Sequence, residues 1–273
     1  MPVLTLKDDT RLYYKDWGVG PTVVFSHGWP LSADMWENQM MFLASEGFRV
    51  VAHDRRGFGR SDQPWEGYNH DTFSEDLSEL IVALDLSDVT LVGYAMGGGE
   101  IARYVGRHGT SRVARMVLIG ATTPKLAWSA DYPNGVPESV FDGVRAGLKA
   151  DRAEFLRGFS RLFFGADRDG AEVSEGSMMQ LHQIAMQSSL KATHDSITAC
   201  AVSDYRGDLS GIDIPVLIIH GEDDAFVPLE STARQAATLI PAAIFKVYED
   251  APHGLLFTHK ERLNNDLLAF LRQ

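Results

Sequence analysis

Residues 89–100 constrain this chain more tightly than any other stretch. Val89 to Val92 form an apolar, β-branched run, Gly93, Gly97, Gly98 and Gly99 cluster behind it, and a helical pattern follows. The run reads as a buried strand. A chain that passes from such a strand into a helix within a few residues turns very sharply. Side chains two positions before and two after the apex would collide, and Gly93 and Gly97 occupy those two positions. The apex is Ala95. It falls at the start of the helix, where free N–H groups and the helix dipole favour negative charge. Glycine-rich turns also serve phosphate and dinucleotide sites. This run supplies neither a G-x-G-x-x-G register after the strand nor a Lys-Ser/Thr pair, which sets those readings aside.

The same alternation continues along the chain. Residues 3–6 and 12–15 read as an opening hairpin, and residues 23–25, 49–52, 89–92, 116–119, 216–219 and 244–248 read as buried strands. Several are apolar on consecutive residues, as expected of parallel strands covered on both faces. Residues 72–84 carry Phe73, Leu77, Leu80, Ile81 and Leu84 at helical spacing, opened by Thr72 and Glu75 as a capping box. The alternation predicts an α/β fold with a doubly wound, mostly parallel sheet. The rhythm breaks between 124 and 210, where no strand pattern occurs and Phe141, Phe155, Phe159, Phe163 and Phe164 sit among helix formers. We read 124–210 as a helical cap inserted into a core made of 1–123 and 211–273, one structural unit in a chain of 273 residues.

The order of the remaining polar motifs narrows the chemistry. A turn of the form G-x-S-x-G presents a nucleophilic serine, and the partners of that serine follow in the order acid, then histidine. Here the serine position holds Ala95. The acid candidates are Glu222, Asp223 and Asp224, directly after the strand 216–219. Asp224 is preferred because it immediately precedes the apolar Ala225-Phe226-Val227-Pro228 segment. His253, in Asp250-Ala251-Pro252-His253-Gly254, lies after the last strand and before the final helical segment, where a general base belongs. His53 is read as structural. Backbone N–H groups of Met96 and of Trp29, in Ser26-His27-Gly28-Trp29-Pro30, are the expected oxyanion donors. Pro30 restricts Trp29 to extended backbone.

Composition excludes other classes. The formal net charge of -12 argues against nucleic acid and anionic membrane as partners. No apolar stretch approaches the roughly 18 residues of a membrane helix. One cysteine, Cys200, permits no intramolecular disulfide. With no leader pattern at the N-terminus, the expectation is a cytoplasmic protein. No metal is expected, since the acidic run 222–224 lacks any EF-hand or His-x-x-x-His companion.

Taken together, His27-Gly28-Trp29-Pro30-Leu31, Asp54-Arg55-Arg56-Gly57-Phe58-Gly59-Arg60-Ser61, Met96-Gly97-Gly98-Gly99-Glu100 and Asp250-Ala251-Pro252-His253-Gly254 resemble the cofactor-free haloperoxidase, perhydrolase and aryl-esterase branch of the α/β-hydrolases. The resemblance runs along nearly the whole chain and departs at Ala95. It implies a serine hydrolase for small aryl or alkyl carboxylic esters that needs no cofactor. With hydrogen peroxide in place of water such an enzyme makes a peracid, which oxidises halide. Some relatives also open lactams, and a homo-oligomer is a family expectation. Pro30 is the residue the resemblance links to peroxide use. The acyl pocket it implies is lined by Trp29, Thr122, Phe159, Phe163, Phe226 and Val227, an apolar set suited to neutral groups.

Three readings of Ala95 compete. It is a serine-to-alanine replacement that inactivates an otherwise intact hydrolase, or the chain is a natural ligand-binding receptor on the same fold, or it is a cofactor-free dioxygenase working through a His253–Asp224 dyad. The completeness of the surrounding motifs favours the first.

Overall fold

The structure is a computed structural model that describes residues 2–168, 171 and 173–273. Eight strands form one sheet: β1 (Val3–Thr5), β2 (Arg11–Trp17), β3 (Thr22–Ser26), β4 (Arg49–His53), β5 (Val89–Tyr94), β6 (Val113–Ile119), β7 (Val216–Gly221) and β8 (Ile244–Tyr248). Their spatial order is β1-β2-β4-β3-β5-β6-β7-β8. The opening hairpin pairs antiparallel and joins β4 antiparallel, whereas β4, β3, β5, β6, β7 and β8 are mutually parallel.

The strands are apolar on consecutive residues because both sheet faces are covered. On one face Val23, Phe25, Val117, Ile119, Leu217 and Ile219 pack with α1 (Glu37–Ser45); on the other, Val24, Met116, Leu118, Val216 and Ile218 pack with α2 (His70–Ala83) and α3 (Met96–His108). Each such side chain contributes about 1.5–3 kcal/mol by leaving water. Strand β8 is the exception to the expected burial. It lies at the sheet edge, and Ile244 remains 37% exposed. Helix α2 also differs from expectation. It begins two residues before Thr72, because extended Asn69 is the N-cap and its side chain accepts the Thr72 N–H at 3.0 Å.

Between β6 and β7 lie α4 (Glu138–Ala150), α5 (Arg152–Phe163), α6 (Glu175–Met186), α7 (Leu190–Val202) and α8 (Arg206–Ser210), and the described residues of this stretch form isolated β-bridges but no strand. The stretch 124–210 is not uniform. Tyr205 and Leu209 pack beside α3 residues Ile101 and Val105 against the sheet, so the chain has returned to the core before 210. Helices α9 (Ala233–Leu239), α10 (Leu255–Thr258) and α11 (Lys260–Leu271) complete the two layers. Among the described residues no helix is long and apolar enough to cross a membrane.

One buried polar cluster crosses the core. Glu100, on α3, accepts hydrogen bonds from Ser26 Oγ at 2.6 Å and Arg55 Nε at 2.6 Å, and lies 3.0 Å from His53 Nε2. All four side chains are buried. His53 thus has the structural place assigned to it. Removing one charge from such a cluster strands the other, so Glu100→Gln should cost about 3–5 kcal/mol in urea unfolding. A change below 1 kcal/mol would show the cluster to be energetically neutral.

Burial also predicts the acid limit of stability. His70 sits edge-on to Phe73 and Tyr205, and burial, aided by the charge of Arg55, depresses its pKa to about 3. A histidine neutral in the fold but titrating near 6.5 when unfolded removes stability as pH falls below 6.5, because the unfolded chain then binds the extra proton. At pH 5 that loss is about 2 kcal/mol. Buried His27 and His220 are depressed in the same direction. Unfolding free energy should therefore fall between pH 7.5 and 5, and His70→Asn should reduce that fall by about 2 kcal/mol. Equal slopes in both proteins would contradict this assignment.

Candidate active site

The elbow after β5 has the geometry its glycines require. A Cβ on Gly93 would lie 2.5 Å from the Gly97 carbonyl oxygen, and one on Gly97 would lie 2.2 Å from the Ser26 carbonyl oxygen. Ala95 itself has φ 49° and ψ -116°. An L-residue in that region costs on the order of 1–3 kcal/mol and persists only where its surroundings hold it. The hold is visible. Ala95 N–H donates to Ile119 O at 3.0 Å, and Ala95 O accepts from the N–H groups of Gly98 at 3.0 Å and Thr122 at 3.2 Å. Thr122 therefore both faces the cavity and braces the apex.

His253 and Asp224 come together from separate loops. His253 Nδ1 lies 2.6 Å from Asp224 Oδ2, with both side chains buried. Asp224 Oδ1 accepts from the N–H groups of Phe226 at 2.9 Å and Val227 at 2.8 Å. Burial alone would raise the Asp224 carboxyl. The charge and hydrogen bond of His253, with His220 and the Val227 N–H, outweigh it and hold the group below its ordinary value. Asp224 is thus ionised at neutral pH. Of the three acidic candidates, Glu222 and Asp223 are exposed, and Asp223 is tied to Arg168 instead. The imidazole of His253 is framed by Tyr94 at 4.9 Å, Phe226 at 5.3 Å and Phe163 at 5.5 Å between ring centroids. The Tyr94 hydroxyl donates to the His253 carbonyl at 2.8 Å.

The loop after β3 is oriented from below. Arg55 N–H donates to His27 Nε2 at 3.0 Å, which leaves His27 Nδ1 to donate to Gly28 O at 2.9 Å. The Gly28 oxygen and the Trp29 N–H belong to one planar peptide and point in opposite directions. Pinning that oxygen therefore turns the Trp29 N–H the other way. Among the described residues neither Trp29 N–H nor Met96 N–H makes a hydrogen bond. The Trp29–Pro30 peptide is cis. The Trp29 indole N–H donates to Thr193 O on α7 at 2.9 Å and so ties this loop to the cap.

Ala95, Met96 and His253 open onto one cavity of about 120 Å3 that is also lined by Trp29, Thr122, Phe159, Phe226 and Val227. Phe163 is a correction to the expected pocket. It lies four residues beyond Phe159 on α5, about 6 Å further along the axis, which carries it past the cavity. There it is fully buried behind His253, against Phe164 and Phe257. The cap supplies walls that sequence reasoning missed: Val140 and Val144 of α4, Phe155 of α5, Ile197 and Cys200 of α7, with Leu126 before them. Their i, i+3 and i, i+4 spacing signals an apolar helix face, but not which cavity that face would close.

The alpha/beta hydrolase fold matches residues 21–260. The chain belongs to that family. Over its full length it is 47% identical to a non-heme chloroperoxidase of Streptomyces lividans, across 100% of both chains. It is 41% identical to a bifunctional esterase/perhydrolase of Acinetobacter calcoaceticus, again across 100% of both. In structure it is similar to a bromoperoxidase from Bacillus anthracis, with TM-score 0.94, 44% identity, and coverage of 97% of this chain and 96% of that one.

Proposed function

We propose that this chain carries the site of a small-ester hydrolase and perhydrolase, lacking only the nucleophilic oxygen at position 95. The observation that carries the reading is Ala95 at φ 49° and ψ -116°, opening onto the same cavity as a histidine paired with a buried carboxylate. Alanine gains nothing from that strained conformation. A serine there would project its hydroxyl from the turn into the cavity, within the field of the helix N-terminus.

With serine at 95 the steps follow from the geometry. Its Oγ attacks the ester carbonyl carbon while His253 Nε2 takes the hydroxyl proton, and Asp224 stabilises the imidazolium that forms. Negative charge on the carbonyl oxygen meets the Trp29 and Met96 N–H groups. Collapse expels the alcohol or phenol, which takes the proton back from His253. Water, or hydrogen peroxide, then gives a proton to His253 and attacks the acyl carbon; the C–Oγ bond breaks, Oγ takes that proton back, and the carboxylic acid or peracid departs. The cavity wall is almost wholly hydrocarbon, so neutral aryl and short alkyl esters fit it and a charged acyl group would be stripped of water without a partner. The names of the relatives, non-heme chloroperoxidase and esterase/perhydrolase, support both outcomes.

In the chain as it stands the first step has no nucleophile, and we read it as an inactive form. A panel of aryl and alkyl esters on the Ala95→Ser protein, with and without hydrogen peroxide, tests the reading. A reducing, cytoplasmic setting is consistent with the single, buried cysteine.

A further inference from the structure

The carboxylate that orients His253 has a second imidazole beside it. His220, near the end of β7, is completely buried, and its Nε2 lies 2.8 Å from Val227 O and 3.4 Å from Asp224 Oδ2. None of the steps above uses it. Because Val227 O can only accept, the hydrogen is on Nε2, and burial holds the ring neutral by depressing its pKa. Its other nitrogen, Nδ1, is buried and has no partner among the described residues. A neutral ring kept in the core with one nitrogen unsatisfied costs stability, so its retention calls for an explanation.

The hydrogen bonds around Asp224 provide one. The turn 224–227 closes when Asp224 Oδ1 accepts the Phe226 and Val227 N–H groups. That leaves the Val227 carbonyl as the free end of the turn, and His220 Nε2–H ties it to β7. The tie is rigid at its root, because β7 pairs along its length with β6 and β8, and a Cβ on neighbouring Gly221 would already lie 2.3 Å from Ala251 O. The same N–H dipole sits beside Asp224 Oδ2, the oxygen that faces His253 at 2.6 Å. We infer that His220 is a positioning residue for the Asp224–His253 pair, anchoring the 224–227 turn to the sheet so that Oδ2 stays on His253 Nδ1. This rests on the reading of that pair as the acid–base dyad, and it adds a fourth side chain that acts through Asp224 without reaching the substrate.

Two variants separate this role from simple core filling. His220→Gln keeps a donor near Nε2, whereas His220→Leu keeps volume and loses the donor. The first readout uses the protein as it stands and needs no catalysis: the downfield proton resonance of the His253 Nδ1–H held by Asp224. It is expected to persist in His220→Gln and to broaden or move upfield in His220→Leu. The second is steady-state kinetics on both variants combined with Ala95→Ser. His220→Leu should lower kcat about 10–100-fold, the scale of an ångström-level misplacement, with KM within about threefold, and His220→Gln should recover most of it. An unchanged resonance and kcat in His220→Leu would overturn the inference. So would equal losses in both variants that track a common fall in thermal stability, because that is what core filling alone predicts. If Ala95→Ser proves inactive on every ester, the functional reading fails while the resonance still decides the role of His220.

Discussion

Ala95→Ser is expected to raise kcat for a small aryl ester by about 10⁶-fold, the amount typically lost when a triad nucleophile is removed. The magnitude follows from how little else must change. The apex already has its strained φ and ψ, Thr122 and Ile119 already hold the Ala95 peptide groups, and the Asp224–His253 hydrogen bond is already formed. The cost of assembling the site is therefore met by the fold before the hydroxyl arrives. Release of p-nitrophenol from its acetate reports the gain, and stoichiometric labelling by a phosphonate locates it. Full restoration of the hydroxyl with no turnover of any small ester, with or without peroxide, would remove the esterase and perhydrolase reading. Tight binding of a small ligand without turnover in both forms would indicate a receptor, and oxygen consumption by the alanine form would indicate the dioxygenase reading.

Asp224→Asn in the Ala95→Ser protein is expected to lower kcat about 10⁴-fold while the fold persists. The asparagine oxygen can still accept the Phe226 and Val227 N–H groups that Asp224 Oδ1 accepts now. Its amide nitrogen, placed where Oδ2 stands 2.6 Å from His253 Nδ1, would donate rather than accept. That forces the imidazole proton onto Nε2, the atom that must take the proton from serine, and the base is lost. His253→Ala should cost at least as much. If Asp224→Asn retained more than about a tenth of the activity, the carboxylate would not be the group that orients the base.

Much of this was legible before any coordinates. Gly93 announces the elbow because the clash it avoids is with the Gly97 carbonyl four residues on, whereas the clash Gly97 avoids is with Ser26 O of β3, far away in the chain. The parallel sheet was legible for a similar reason, since continuous apolar strands reveal cover on two faces. Less legible were matters of placement. Strand β8 interrupts its apolar run with Lys246 where β7 has none, but only sheet order makes it an edge. Phe159 and Phe163 share one face of α5, and only the docking of that helix puts the first in the cavity and the second behind His253.

The elbow, the chain order of apex, acidic run and His253, and the fold class were thus legible in the sequence alone, because glycine placement, motif order and strand and helix periodicity are all written in residue order. The tertiary structure decided which of three neighbouring carboxylates meets His253 and which cap side chains wall the cavity. Those are contacts between segments far apart in the chain. They depend on how sheet, loops and cap pack together, and no local pattern encodes that.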